Sequence, residues 1–335
     1  MKLCKLILAG ALLMTASATA SAQTVNLRTT IPANSMFFMP LFVADSLGYF
    51  ADNGIAMETV ITNGDGPDVD ALISGSVDFT ISTPNRLLTA YQQGKPLLAV
   101  MSVMDRMGIQ CFMNKDVAGQ VKLDDAKTPE EKFATLKGQT IAGTRPGAFT
   151  YLLAVDYLKR AGLVPQQDAQ IIGIGAGPAM IAAVENGQAA MGCFGSPIVE
   201  SAVARGKAVW FIKNTAGEDS KYNDFLFQMV YVRPEYAQEN PEVVRSYVAA
   251  LLKANQWIAQ ASTQDLLVEV KKRFEAVPDD TLTEAIENMR GAYSQTGMIS
   301  QQSFDAAAQF LRDTDMLEGE VPWDAVSDNQ YLPAN

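Results

Sequence analysis

Apolar and polar residues alternate from Thr24 to Ile31, the period of a half-buried strand. From Pro40 to Asp52 the spacing lengthens. Leu41, Val43, Ala44, Leu47 and Phe50 make a helical stripe, and Asn53-Gly54 supplies a stop. The alternation continues with a strand at Ile55 to Ile61, a short helix at Pro67 to Ser74 and a strand at Val77 to Ser82. A helix at Asn85 to Gln93 and a strand at Pro96 to Met104 complete it. This βαβαβαβ order predicts a doubly wound α/β sheet with right-handed crossovers.

A second run has the same cadence. Strands are expected at Thr140 to Gly143, Ala169 to Ile174, Ala190 to Phe194 and Ala208 to Ile212. Helices are expected at Ala148 to Ala161, Pro178 to Glu185 and Ile198 to Ala204. The polar stretch before it, Lys115 to Ala134, holds Thr128-Pro129-Glu130-Glu131, a helix start with a Thr cap, Pro in the first turn and Glu three residues on.

The two runs resemble each other in detail. Gly64-Asp65-Gly66-Pro67 leads to Gly75, to a strand ending Ser82-Thr83-Pro84, and to Gly94-Lys95. Gly175-Ala176-Gly177-Pro178 leads to Gly187, to a strand ending Phe194-Gly195-Ser196-Pro197, and to Gly206-Lys207. Gly75 and Gly94 stand 19 residues apart, as do Gly187 and Gly206. A repeat of this length implies two similar α/β lobes, and the cleft between two lobes is a usual place for a small ligand.

Two segments read as crossovers between lobes, Gly108 to Asn114 and the strand-forming stretch Asp224 to Arg233. Helices are then expected from Asn240 to about Gln260, Ser262 to Ala276, Asp279 to Tyr293 and Gln301 to Arg312, before a tail around Trp323. Assigning this helical block to the first lobe makes that lobe discontinuous, residues 23–110 and 225–335. Residues 111–224 form the second lobe, and a two-stranded hinge joins the pair.

The first 22 residues have the layout of a secretory signal peptide. Lys2 and Lys5 precede the apolar run Leu6 to Met14, and Ala20-Ser21-Ala22 offers a cleavage site after Ala22. Release of the mature chain into the exported compartment follows as an expectation. The formal charge of −11 argues against a nucleic-acid partner, whose phosphates need a basic face. Removing Lys2 and Lys5 takes that charge to −13. Cleavage would leave Cys111 and Cys193, each in an apolar strand-like run. An exported compartment permits a disulfide. The free form is nevertheless favoured, since strands in different lobes seldom meet at bonding distance.

In open α/β sheets ligands sit beyond the carboxyl ends of the strands, where the following helices offer N–H groups. The candidate loops are therefore Asn34 to Phe38, Gly64 to Pro67 and Thr83 to Asn85 in the first lobe. In the second they are Arg145 to Phe149, Gly175 to Gly177 and Gly195 to Pro197. The residues taken as ligand contacts are Asn34, Ser35, Phe37, Phe38, Asp65, Gly66, Thr83 and Asn85, with Arg145, Gly147, Ala148, Phe149, Gly177, Gly195 and Ser196. Arg145 can clamp a carboxylate or sulfonate, the alternative being a solvated side chain beside a proline turn. Phe37, Phe38 and Phe149 suit an apolar or ring-bearing ligand, whereas Phe194, at a strand end, reads better as core. For Asp65 the reading as a turn residue is the stronger one.

No dinucleotide is expected, because the third glycine of that fingerprint is replaced by Pro178. Met101, Met104, Met107 and Cys111 read as core and not as a metal site, since residues three apart on a strand face opposite ways. The chain contains no histidine, which removes histidine-dependent triads and the usual zinc sites, and no catalytic residue or cofactor is implied.

Three segments stand in order: Leu41-Phe42-Val43-Ala44-Asp45-Ser46-Leu47-Gly48-Tyr49-Phe50 with Asn53-Gly54-Ile55, then Gly75-Ser76-Val77-Asp78-Phe79, then Leu136-Lys137-Gly138-Gln139-Thr140-Ile141-Ala142-Gly143. They resemble periplasmic solute-binding proteins of the nitrate/sulfonate/taurine import class. Their order and spacing carry the resemblance, which spans about Thr24 to Ala261. It implies a fold like that of type II periplasmic binding proteins, and delivery of a ligand to an ABC permease with its ATPase. Gly143 to Phe149 is similar to the class's ligand-gripping loop. One departure stands out: many members carry an acidic residue where this chain has Ser196, so a carboxylate for a taurine-like amine is missing there. The expected ligand is thus a small organic anion, a sulfonate or carboxylate with apolar or aromatic character, bound by a monomer. The alternatives are a neutral heterocycle such as a thiamine-precursor pyrimidine, and a periplasmic sensor that signals to a kinase.

Overall fold

The computed structural model of the chain describes residues 24–62, 64, 66–175 and 177–334. The leader expected at residues 1–22, and Asp65, lie outside the described residues. The strands are β1 (Val25–Ile31), β2 (Ile55–Ile61), β3 (Phe79–Ser82), β4 (Leu98–Met104), β5 (Gln110–Asn114), β6 (Thr140–Gly143), β7 (Gln170–Gly173), β8 (Met191–Phe194), β9 (Ala208–Ile212) and β10 (Gln228–Val232). They form two five-stranded sheets, ordered β2-β1-β3-β10-β4 and β7-β6-β8-β5-β9. Each sheet is the centre of one α/β lobe.

The repeat seen in the chain is a repeat of topology. In each sheet one strand runs antiparallel between two others. β10 lies between β3 and β4, and β5 between β8 and β9. These two strands follow the crossovers, so each lobe takes its inserted strand directly after the chain has passed over from the other. The shared glycines explain the common frame. Gly75 and Gly187 end equivalent helices with φ of 77° and 70°, a left-handed conformation that a side chain disfavours.

Most helices match the periodicity. The capping box at Thr128 forms as expected: Glu131 N–H donates to Thr128 Oγ1, and the Glu131 carboxylate accepts from the Thr128 N–H. The helix expected from Pro40 to Asp52 is split into Met39–Ser46 and Tyr49–Asp52, because Gly48 turns the chain at φ 75°.

The cysteines require a correction. Cys111 and Cys193 form a disulfide. Both belong to the second lobe's sheet, where β5 and β8 are neighbours and these two residues stand directly opposite, with Cα atoms 4.1 Å apart. The expectation of free thiols treated the two strands as belonging to different lobes, although the bounds 111–224 put both cysteines in the second; their pairing in one sheet brings the side chains together.

The C-terminal helices bracket both lobes. The 20-residue helix Pro241–Gln260 packs on Met39–Ser46, on Tyr49–Asp52 and on β4. Helix Asp279–Arg290 reaches the second lobe's Ile198–Ala204, and Gln301–Asp313 touches both Pro84–Gln92 and Phe149–Arg160. The tail then covers the edge of β4, where Asp328 N–H donates to Ala99 O and Ser327 pairs with Ala99. Such cover keeps an edge strand from pairing with another chain. Met101, Met104 and Met107 are buried in the apolar core.

Candidate functional site

The carboxyl ends of β1, β3, β6 and β8 face one another across the cleft, and a cavity of about 320 Å³ lies between them. Its deep wall is apolar. Phe37, Phe38, Phe149 and Phe227 are buried around it, with Ile109 beside them and the half-buried Phe194 closing one side. The rings hold one another in place: Phe227 meets Phe37 edge-on at 5.1 Å and Phe149 at 5.6 Å. Near solvent the lining is polar, with exposed Asn34 and Arg145.

Local structure explains how these groups arrive. Ser35 caps the turn Met36–Phe38 by accepting from Phe37 N–H, which directs both phenylalanines inward. Phe149 opens the helix Phe149–Arg160, whose cap Ala148 offers no side-chain acceptor. Ala148, Phe149 and Thr150 all line the cavity, so the electropositive first turn is turned toward it. Thr144 and Thr150 pair their hydroxyls at 2.8 Å. The Thr83 hydroxyl donates to Asn85 Oδ1 at 2.6 Å, and the Asn34 amide donates to Arg273 O.

Of the contact residues expected from the loops, Asn34, Ser35, Phe37, Phe38, Thr83, Arg145, Ala148 and Phe149 line the cavity. Gly66, Asn85, Gly147, Gly177, Gly195 and Ser196 do not. Most of this second group joins the lobes instead. Ser196 O accepts from Met36 N–H at 3.1 Å and from Ser35 Oγ at 3.4 Å. Asn85 donates to Gly147 O at 3.5 Å. The tip of the Phe37 ring comes so close to Gly195 that a Cβ there would stand 2.4 Å from Phe37 Cζ. Arg145 crosses the cleft, with Nη1 and Nη2 at 3.4 and 3.5 Å from where a Gly64 Cβ would be. Gly177 packs against Ile198 within its own lobe.

Behind Ser196 sits a buried carboxylate. Glu200 Oε1 accepts from Ser196 Oγ at 2.8 Å, from Asn288 Nδ2 at 2.8 Å and from Gln110 Nε2 at 3.4 Å. Burial pushes its pKa up, and the hydrogen bonds from Asn288 and Ser196 only partly offset this. Glu200 thus ties the second lobe to the C-terminal block through Asn288, and through Ser196 to the first lobe.

Sequence reasoning passed over Pro32, Ala33, Thr144 and Thr150, and above all Ile109, Phe227 and Gln228, which begin or precede the inserted strands. A signal for the last three existed. A crossover between lobes has to run along the base of the cleft, so its first strand residues face whatever the cleft encloses. Phe194 also lines the cavity, where core packing was the favoured reading.

A profile of the NMT1-like family matches residues 33–271, a span that includes both loop sets and the start of β10. The chain belongs to this family. The nitrate/nitrite binding protein NrtA of Synechocystis is 26% identical over 76% of this chain and 58% of its own length. Its crystal structure, described as that of a periplasmic nitrate-binding protein, superposes with a TM-score of 0.68 over 92% of this chain and 87% of that one, at 18% identity. The riboflavin-binding protein RibY of Chloroflexus aurantiacus is 26% identical over 88% of this chain and 82% of its own. The alkanesulfonate-binding protein SsuA of Xanthomonas axonopodis, bound to MOPS, superposes with a TM-score of 0.68 at 18% identity, over 89% of this chain and 96% of that one. This NMT1-like chain therefore has the two-lobed fold of periplasmic binding proteins. NrtA, RibY and SsuA are all named for binding and not for catalysis.

Proposed function

We propose that this chain is the substrate-binding component of an ABC importer, working in the periplasm and capturing a small organic anion with an aromatic or ring-bearing body. The observation that carries this reading is the interlobe cavity, open to solvent at one side, with phenylalanines in its depth and Arg145 at its rim. Arg145 is the one ionisable side chain among the described residues lining it. A volume of about 320 Å³ far exceeds what an inorganic oxyanion fills, and it lies at the lower end of pockets that hold small organic ligands. The rings provide apolar burial, while the guanidinium at the rim and the first turn of Phe149–Arg160 favour negative charge. Hydrogen bonds across the cleft, at Ser196 and Asn85, are ones that closure over a ligand would make. The closed form would then be presented to the permease.

A neutral flat heterocycle is the second reading. It is favoured by the phenylalanine wall and by likeness to a protein named for riboflavin.

Calorimetric titration of the mature protein tests the choice. Aryl sulfonates and aryl carboxylates are expected to bind, nitrate and taurine much more weakly. Binding of nitrate with no binding of aryl anions would overturn the proposal, and tight binding of neutral heterocycles alone would move the conclusion to the second reading.

A further inference from the structure

The two inserted strands offer a comparison that neither strand offers alone. Met229 of β10 stands opposite Ser82, the last residue of β3, and Gln110 of β5 stands opposite Phe194, the last residue of β8. One residue earlier in each strand register come Gln228 and Ile109. These positions are equivalent in the two lobes, and both residues line the cavity at its deep end. Each is essentially buried, at 2% and 1% exposure. One copy of the repeat therefore places an isoleucine on the cavity floor and the other an amide.

The amide oxygen is conspicuous for its lack of a partner. Gln228 Oε1 is buried and accepts no hydrogen bond, and it is the one such side-chain atom among the described residues lining the cavity. The neighbouring polar side chains are already committed. The Ser35 hydroxyl donates to Ser196 O, the Thr83 hydroxyl to Asn85, and the Thr144 and Thr150 hydroxyls pair with each other. A buried acceptor left unpaired is costly, and a site built around one rejects ligands that lack the matching donor.

We propose that Gln228 is a specificity-determining residue that accepts a hydrogen bond from an N–H or O–H group on the ligand's apolar body. The ligand would be an aromatic anion with a hydroxyl or amino group on the far side of the ring from its charge. The charge belongs at the rim with exposed Arg145, the ring among Phe37, Phe149 and Phe227, and the donor at the floor with Gln228. This rests on the reading of the cavity as the ligand site.

The test is calorimetric titration of the mature protein with two probe sets. The first is benzenesulfonate and benzoate, each unsubstituted, with a meta or para hydroxyl, and with that hydroxyl methylated. The second is uracil and its N-methylated forms, which are neutral. Wild type is expected to prefer hydroxylated over methylated or unsubstituted probes by about tenfold or more, the worth of one buried hydrogen bond. Gln228→Leu should erase that preference, whereas Arg145→Ala should weaken every anionic probe alike. Equal binding of hydroxylated and methylated probes by wild type overturns the inference, and so does a preference that survives in Gln228→Leu. The wild-type comparison needs no variant, and Gln228→Met replaces the leucine variant if that one fails to fold. Binding of the neutral set alone would reject the organic-anion reading, with Gln228 then judged by the uracil comparison. Binding of neither set rejects both.

Discussion

Gly195 shows how much a single missing side chain does in this molecule. It lies where the Phe37 ring of the opposite lobe comes to rest, and Gly108, in the crossover before β5, gives way to the same ring. At Gly195 a Cβ would meet three ring carbons at 2.4 to 2.9 Å. Phe37 is itself held by Phe38 and Phe227, so the ring has little room to move aside. Gly195→Ala is therefore expected to prop the lobes apart and weaken ligand binding by about tenfold or more, the scale of an overpacked contact. Circular dichroism of the unliganded variant should stay that of wild type. Unchanged affinity would show that the lobes close without this contact.

Two elements can be tested independently of any ligand. The capping box at Thr128 satisfies N–H groups at the start of Pro129–Ala134, and Thr128→Ala should cost about 1 kcal/mol in urea denaturation. The disulfide joins β5 to β8 across 82 residues of sequence that includes much of the second lobe. Replacing both Cys111 and Cys193 by Ala should lower stability by about 2–4 kcal/mol, and reductant should shift the wild-type midpoint while leaving that of the variant in place. Identical midpoints with and without reductant would refute the bond. The cap was legible in the chain because capping is local: four consecutive residues contain the whole interaction. The disulfide was not, since it depends on which strands become neighbours in a sheet.

Across the whole molecule, Glu200 connects the lobes and the C-terminal block, and its protonation couples them to pH. Its carboxyl is raised by burial in the folded chain, so the fold holds the proton in a range where the unfolded chain has lost it. Stability contributed through Glu200 is therefore full at and below the ordinary glutamate range and is lost as pH rises through the raised value. Asp105 is also raised by burial, so the wild-type curve alone does not isolate Glu200. Glu200→Gln keeps an acceptor for Ser196 and Asn288 but cannot ionise. Its melting temperature should fall less than that of wild type as pH is raised across this window; parallel curves would remove Glu200 from the coupling.

What the sequence determined by itself was periodic or local. Hydrophobic period, caps and glycine stops set nearly every strand and helix, and the repeated glycine-proline frame set the two lobes. The loops at the strand ends located ten of the residues that line the cavity. Tertiary structure decided the rest. It assigned β5 and β10 their antiparallel places, and with them the disulfide and the floor residues Ile109 and Gln228. It also separated residues lining the cavity, such as Phe37 and Arg145, from those joining the lobes, such as Asn85 and Ser196. The physical reason is the same in each case: strand pairing and lobe contact join residues distant in the chain, and no local pattern records which distant partner a residue will meet.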